Sequence, residues 1–148
     1  MDTIQSLLQE KQIPHDILSH PAHLRTAQEG ADYLGIELGQ TAPTLILATD
    51  NGYVALIVSG ARGRVQLEEI AAILGVEQVK LAPPKDVLRI TGYCVGSVPL
   101  VGLQLPCILD RELFRFSSIY GGTGDPASTL KLHPEALEQL NRVIAYLE

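Results

Sequence analysis

Ile4, Leu7 and Leu8 recur at helical spacing among Asp2, Gln5, Gln9 and Glu10, which predicts an amphipathic helix over residues 2–12. Residues 13–18 follow as an edge strand or extended segment, because Pro14 cannot donate to a sheet ladder. Thr26-Ala27-Gln28-Glu29 has the spacing of a capping box, so a helix opens at Thr26, and Gly35 supplies its end. The β-branched and apolar runs 44–49 and 53–59, separated by Asp50-Asn51-Gly52, predict a central hairpin whose turn residues take positive φ. Leu67, Ile70, Ala71 and Leu74 mark a helix over 66–74 closed by Gly75, and Pro83-Pro84 opens another running through Ile90. Short strands are expected at 107–109, 117–120 and 129–132. Pro134 then begins a last helix whose Leu137, Leu140, Ile144 and Leu147 form one apolar stripe. Helices and strands interleave without a strict βαβ rhythm. The fold class is therefore α/β of a mixed, α+β-like kind, a mixed or barrel-like sheet covered by helices, in a single domain over residues 1–148.

Composition fits that picture: 46% hydrophobic and 19% charged residues give enough apolar material for one core. The longest apolar run, 54–58, is too short to span a bilayer, and the N-terminus lacks a signal-peptide pattern, so a cytoplasmic protein without membrane attachment is expected. Cys94 and Cys107 have no CxxC spacing, which points to neither a disulfide framework nor a zinc knuckle. His20-Pro21-Ala22-His23 has proline between the imidazoles and no neighbouring thiolate or carboxylate, so no metal or other cofactor is expected. A net charge of −6 restricts any nucleic-acid contact to a local patch. The candidate is Lys80, Lys85 and Arg89, joined by Arg62 and Arg64.

The most informative chemistry lies in 91–102, an almost uncharged stretch carrying Gly92, Gly96, Pro99 and Gly102. Glycine lets a ligand approach the main chain, and Pro99 holds Val98 extended, so the segment is either a wide surface turn or a loop presenting backbone N–H groups. Gly92-Tyr93-Cys94-Val95-Gly96 also has the G-x-nucleophile-x-G form, with Asp110 and His133 following in hydrolase order. The strand-then-helix context of a nucleophile elbow is missing around Cys94. Gly121-Gly122-Thr123-Gly124 is a second glycine turn, and no Gly-Lys-Ser or Gly-Lys-Thr follows to make it a phosphate-binding P-loop.

Taken in order, His20-Pro21 before the helix at Thr26, Gln40-Thr41-Ala42-Pro43-Thr44-Leu45, the loop from Gly96 to Gly102 and the turn at Gly121 resemble one family along nearly the whole chain. This is the family of YbaK, EbsC and the inserted editing domain of bacterial prolyl-tRNA synthetase, which are aminoacyl-tRNA deacylases. The resemblance implies a YbaK-like fold and a free-standing trans-editing hydrolase that cleaves the ester of a mischarged tRNA, tRNA for proline foremost. Its partners would be the aminoacylated acceptor end and prolyl-tRNA synthetase. By the same resemblance, Gly96, Ser97 and Val98 would polarise the ester carbonyl beside Thr44, while His20, Pro43, Pro99, Gly102, Gly121, Gly122 and Lys131 would hold the substrate. Two departures stand out. Pro43 occupies the position of the family's central lysine, and Leu100 that of a second proline. No Lys or Arg occurs from Thr26 to Ala61, so a replacement cation must be distant in sequence, with Lys131, Arg89 and Lys85 as candidates. Two alternatives stay open: a pseudoenzyme that binds an aminoacyl end or small amino-acid ligand without turnover, and a hydrolase with a Cys94 nucleophile.

Overall fold

A computed structural model describes residues 2–21, 24 and 26–148. The elements run α1 (Asp2–Glu10), β1 (His15–Ser19), α2 (Ala27–Leu34), β2 (Thr44–Thr49), β3 (Gly52–Ile57), α3 (Leu67–Leu74), β4 (Val79–Leu81), α4 (Pro84–Thr91), β5 (Pro106–Asp110), β6 (Ile119–Gly121), β7 (Ser128–Leu132), α5 (Glu135–Leu140) and β8 (Arg142–Leu147), with 3₁₀ turns at Leu38–Gln40 and Arg111–Arg115. The architecture is the mixed α/β one expected, but the strands divide between two sheets, of order β4-β2-β3-β5-β8 and β1-β7-β6, and neither closes into a barrel. The larger sheet is mixed: β2 pairs antiparallel with β3 and β4, whereas β3–β5 and β5–β8 are parallel. The smaller sheet is antiparallel throughout.

Strand periodicity explains how the larger sheet is buried on both faces. Ile46, Ala55, Ile57, Cys107 and Leu109 point into the main core with α1 and the small sheet. The alternate residues Leu47, Val54, Leu56 and Ile108 pack in a second core under Ile70 of α3. Burial pushes the Cys107 thiol up to about 12, so it packs as a small apolar group.

Local signals read correctly at most helix ends. Thr26 Oγ accepts from the Glu29 N–H at 3.0 Å, and Gly35, Gly75 and Gly92 close their helices in the left-handed conformation. In the hairpin turn, Gly52 alone takes positive φ, at 117°, so Asp50 and Asn51 do not share that role.

The C-terminus departs from expectation. The last helix ends at Leu140, and Ile144 and Leu147 belong to β8 instead of extending an apolar helical stripe. The cause is Asn141, held extended because its side chain donates to the Leu100 carbonyl at 2.7 Å and accepts from the Leu103 N–H. The chain leaves the helix to satisfy the glycine loop, and the β-branched Val143 and Ile144 then favour a strand beside β5. The three-residue β4 was also unforeseen, being too short to show an alternation.

One buried carboxylate ties these pieces together. Asp110, fully buried at the end of β5, receives two 2.7 Å hydrogen bonds from Arg62 and one each from the N–H groups of Ser59 and Glu112. Arg62 also donates to the carbonyl of Glu148. Burial works to raise the Asp110 pKa, but the Arg62 hydrogen bonds, the two N–H donors and the Arg62 charge outweigh it and hold the carboxyl below its ordinary value. A depressed carboxylate pKa contributes stability that is present above the unfolded-state value near 4 and lost as pH falls through the folded value. Arg62→Met leaves that carboxylate buried without its cation and is expected to destabilise the fold by roughly 3 kcal/mol, read by denaturant unfolding at neutral pH. Asp110→Asn should flatten the loss of stability that the wild type shows below about pH 4.

Candidate functional site

The outer edge of strand β6 builds the cleft. One edge of β6 pairs with β7, and carbonyls two residues apart on a strand point the same way, so those of Tyr120 and Gly122 both face outward. The first accepts from the Ala42 N–H at 2.8 Å and the second from the Leu100 N–H at 3.1 Å. The segment leading into β2 and the glycine loop are thus laid end to end along the same edge, with bridges Thr41–Tyr120 and Pro99–Gly122. Such close approach requires glycine at 122, where a Cβ would lie 2.2 Å from the Val98 carbonyl oxygen.

Between this edge and α2 lies a cleft of about 130 Å³. Ala27, Gly30 and Leu34 of α2 form one wall, Gly96 and Ser97 another, and Thr41, Ala42, Pro43, Tyr120, Gly121 and Gly122 the floor. His20, Thr26, Asp125, Ser128 and Thr129 add further polar side chains. His20 is buried and bonded through Nε2 to Thr129 Oγ1 at 3.0 Å, and its ring meets that of Tyr33 at 5.9 Å and 70°. Among the described residues no Lys or Arg lines the cleft.

The sequence candidates divide accordingly. Gly96, Ser97, His20, Pro43, Gly121 and Gly122 line the cleft. Val98, Pro99 and Leu100 are buried behind it, Val98 and Leu100 in the main core, and the Gly102 N–H is bonded to the Leu140 carbonyl. Thr44 does not line the cleft; its buried hydroxyl has no hydrogen-bond partner. Lys131 lies just outside, on the same face of β7 as Thr129 and opposite Tyr120, with its ammonium 5.9 Å from that ring. Lys80, Lys85 and Arg89 do not line the cleft either. Lys80 borders a second cleft with Asp50, Glu68 and Glu77, and Arg89 is bonded to Tyr53 and Asp86. Arg62 is committed to Asp110, so it cannot join the basic patch.

Two expectations about the glycine loop change with the geometry. The Ser97 N–H and Oγ both donate to the Cys94 carbonyl, at 3.0 and 3.2 Å, and the Leu100 N–H is spent on Gly122. Within the described residues, the N–H groups of Cys94, Val95, Gly96, Val98 and Val101 make no hydrogen bond, and of these five residues Gly96 lines the cleft. The second concerns Cys94, Asp110 and His133, which no hydrogen bond links: Asp110 is filled by Arg62, Ser59 and Glu112, and His133 Nδ1 accepts from the Glu135 N–H. Ala22 and His23 of the His-Pro-Ala-His quartet lie outside the described residues. Among those described, no cluster of three or more His, Cys, Asp or Glu could hold a metal, and no helix is long and apolar enough to cross a membrane.

The model of the aminoacyl-tRNA editing domain family matches residues 21–140, which carry every wall of this cleft except His20. The chain belongs to that family. A proline–tRNA ligase of Thermosipho melanesiensis is 34% identical over 87 residues, 59% of this editing-domain chain and 15% of the ligase, so the chain spans only a small part of that relative. YwhH of Bacillus subtilis is 24% identical over 86% of the chain and 82% of its own length. Among solved structures, a proposed trans-editing enzyme for prolyl tRNA synthetase superposes with a TM-score of 0.84 at 28% identity, covering 96% of this chain and 91% of its own. The hypothetical protein APE2540 superposes at 0.88 and 26%, covering 97% and 96%.

Sequence reading missed Gly30, Tyr120, Ser128 and Thr129 of the editing-domain cleft. Gly30 had a signal: it interrupts the interior of an amphipathic helix, where glycine is unfavourable. Nothing in the fold requires it, since a Cβ there would meet no atom within 4 Å. Its missing side chain leaves room in the cleft. Gly30→Ala is therefore expected to raise stability by about 0.5–1 kcal/mol in denaturant unfolding, while narrowing the cleft and disfavouring its larger ligands in a binding or turnover comparison.

Proposed function

We propose that this chain acts in trans as an aminoacyl-tRNA deacylase, hydrolysing the ester of a mischarged tRNA, with tRNA for proline the foremost substrate. The observation that carries the reading is the narrow, glycine-walled cleft built by Gly96, Ser97, Gly121 and Gly122 in a chain of the aminoacyl-tRNA editing family. Likeness over nearly full length to the proposed trans-editing enzyme supports action in trans on a prolyl-tRNA synthetase product.

In this reading the aminoacyl group enters the cleft and its ester carbonyl lies against the glycine loop. Water adds to the carbonyl carbon, and the oxygen takes the developing negative charge. The free N–H of Gly96, which lines the cleft, stabilises that oxyanion, an effect typically worth about 10²–10³ in rate per donor. Collapse breaks the bond to the ribose oxygen, which leaves with a proton as the free 3′-terminal hydroxyl. His20, oriented by Thr129, is an imidazole in the lining and holds the attacking water as a base. Lys131 supplies positive charge to the substrate from the cleft rim, in place of the cation that Pro43 cannot provide.

A second reading rests on the same proline: with no Lys or Arg lining the cleft among the described residues, the chain binds an aminoacyl end without turning it over. A deacylation assay across a panel of aminoacyl-tRNAs separates the two. Hydrolysis of a subset with small amino acids is expected, and binding with no hydrolysis of any would establish the pseudoenzyme. Lys131→Gln should lower kcat/KM roughly tenfold, equivalent to about 1.4 kcal/mol of transition-state stabilisation. Cys94→Ala should leave kcat/KM unchanged; complete loss with an intact fold would instead favour a thiol nucleophile.

A further inference from the structure

The cleft is too small for the whole end of a charged tRNA. At about 130 Å³ it falls below the roughly 300 Å³ at which pockets begin to enclose a drug-sized ligand. It admits a small substituent, and the nucleoside that carries it must lie at the rim. Tyr33 stands there. It sits one helical turn beyond Gly30, a cleft-lining residue, so it lies on the flank of the same face of α2. Its ring touches buried His20, which lines the cleft, at an interplanar angle of 70°. In an edge contact of that kind at most one face of Tyr33 is used, and the residue is 53% exposed, the second most exposed large apolar side chain among those described. An aromatic ring held at one edge and bare on a face is a platform for a nucleobase, which is attracted through its π-face whatever its hydrogen-bonding edge.

We infer that Tyr33 is the stacking platform for the base of the terminal adenosine, holding the nucleoside outside the cleft while its ester enters. The inference rests on the tRNA reading above and adds a base-recognition site to it. It also explains how an acidic chain with no cation among the described residues of its cleft holds an RNA end, since stacking requires no counter-charge.

The chain contains no tryptophan, so Tyr33→Trp places a single indole at this position. Because the site is an exposed helix position, Trp and Ala are both accommodated. Uncharged bulk tRNA with its terminal adenosine is expected to quench the indole emission of the Tyr33→Trp variant, and the same tRNA shortened by that one nucleotide is not. Tyr33→Ala should weaken binding of the intact tRNA by roughly 5- to 150-fold, with little effect on the shortened one. The inference is overturned if intact tRNA leaves the indole emission unmoved, if both tRNAs quench it equally, or if Tyr33→Ala binds intact tRNA as the wild type does. Hydrolysis by the wild type is read separately. Quenching without hydrolysis keeps the platform and removes the catalytic reading, and hydrolysis without quenching does the reverse.

Discussion

The cleft depends on the outward carbonyls of Tyr120 and Gly122 holding two segments distant in sequence on one strand edge. Ala42 and Leu100 dock there through their N–H groups, which brings Pro43 and the Gly96–Ser97 peptide into the same wall. Backbone hydrogen bonds set the spacing, so side chains must keep clear. At Gly121 a Cβ would lie 2.6 Å from Leu100 Cγ and 2.8 Å from the Ala42 carbonyl, and the contact at Gly122 is tighter still. The glycines are the steric condition for two strand-like segments to meet a third, and the cleft is the space left beside that junction.

A second constraint anchors this junction to the larger sheet. The Asp110 carboxylate fixes the Ser59 N–H, and Ser59 Oγ donates to the Gly39 carbonyl at 2.8 Å. Gly60 N–H bonds the Thr41 carbonyl, and Thr41 Oγ1 the Leu38 carbonyl. A continuous chain of hydrogen bonds therefore runs from the Arg62–Asp110 pair to the floor of the cleft. Buried charge of this kind tolerates little rearrangement, because each partner left alone bears its full desolvation penalty. It gives a loop-built site the rigidity that a strand or helix would otherwise supply.

The electrostatic character of the site follows from what the chain omits. Proline at 43 removes both a cation and an N–H from the floor, and its carbonyl is used by the Val58 N–H. Ligand contact in the cleft then falls to peptide groups, hydroxyls, the His20 imidazole and the Asp125 carboxylate. Among the described residues, the positive charge beside the cleft is that of Lys131 at its margin, while Lys80 lies on edge strand β4 and Lys85 and Arg89 on α4.

Much of this was legible in the sequence because the relevant forces are local. Capping at Thr26, left-handed closure at Gly35 and Gly75, and the period-two hairpin at β2 and β3 depend on neighbours a few residues apart. The ordered motifs were also enough to indicate the family and six residues of the cleft. What the sequence hid was decided by distant partners. Residues 141–147 have a helical apolar spacing, yet they form a strand because Asn141 is claimed by Leu100 and β5 offers an edge. Ser97 looked like a free donor until its N–H found Cys94, and Arg62 looked like a surface cation until it found Asp110. Residue order by itself determined the helix ends, the central hairpin and the glycines that permit close approach. Only the tertiary structure decided which N–H groups and charges remain available, because a hydrogen-bonding group is free or spent according to what the fold brings within about 3 Å of it.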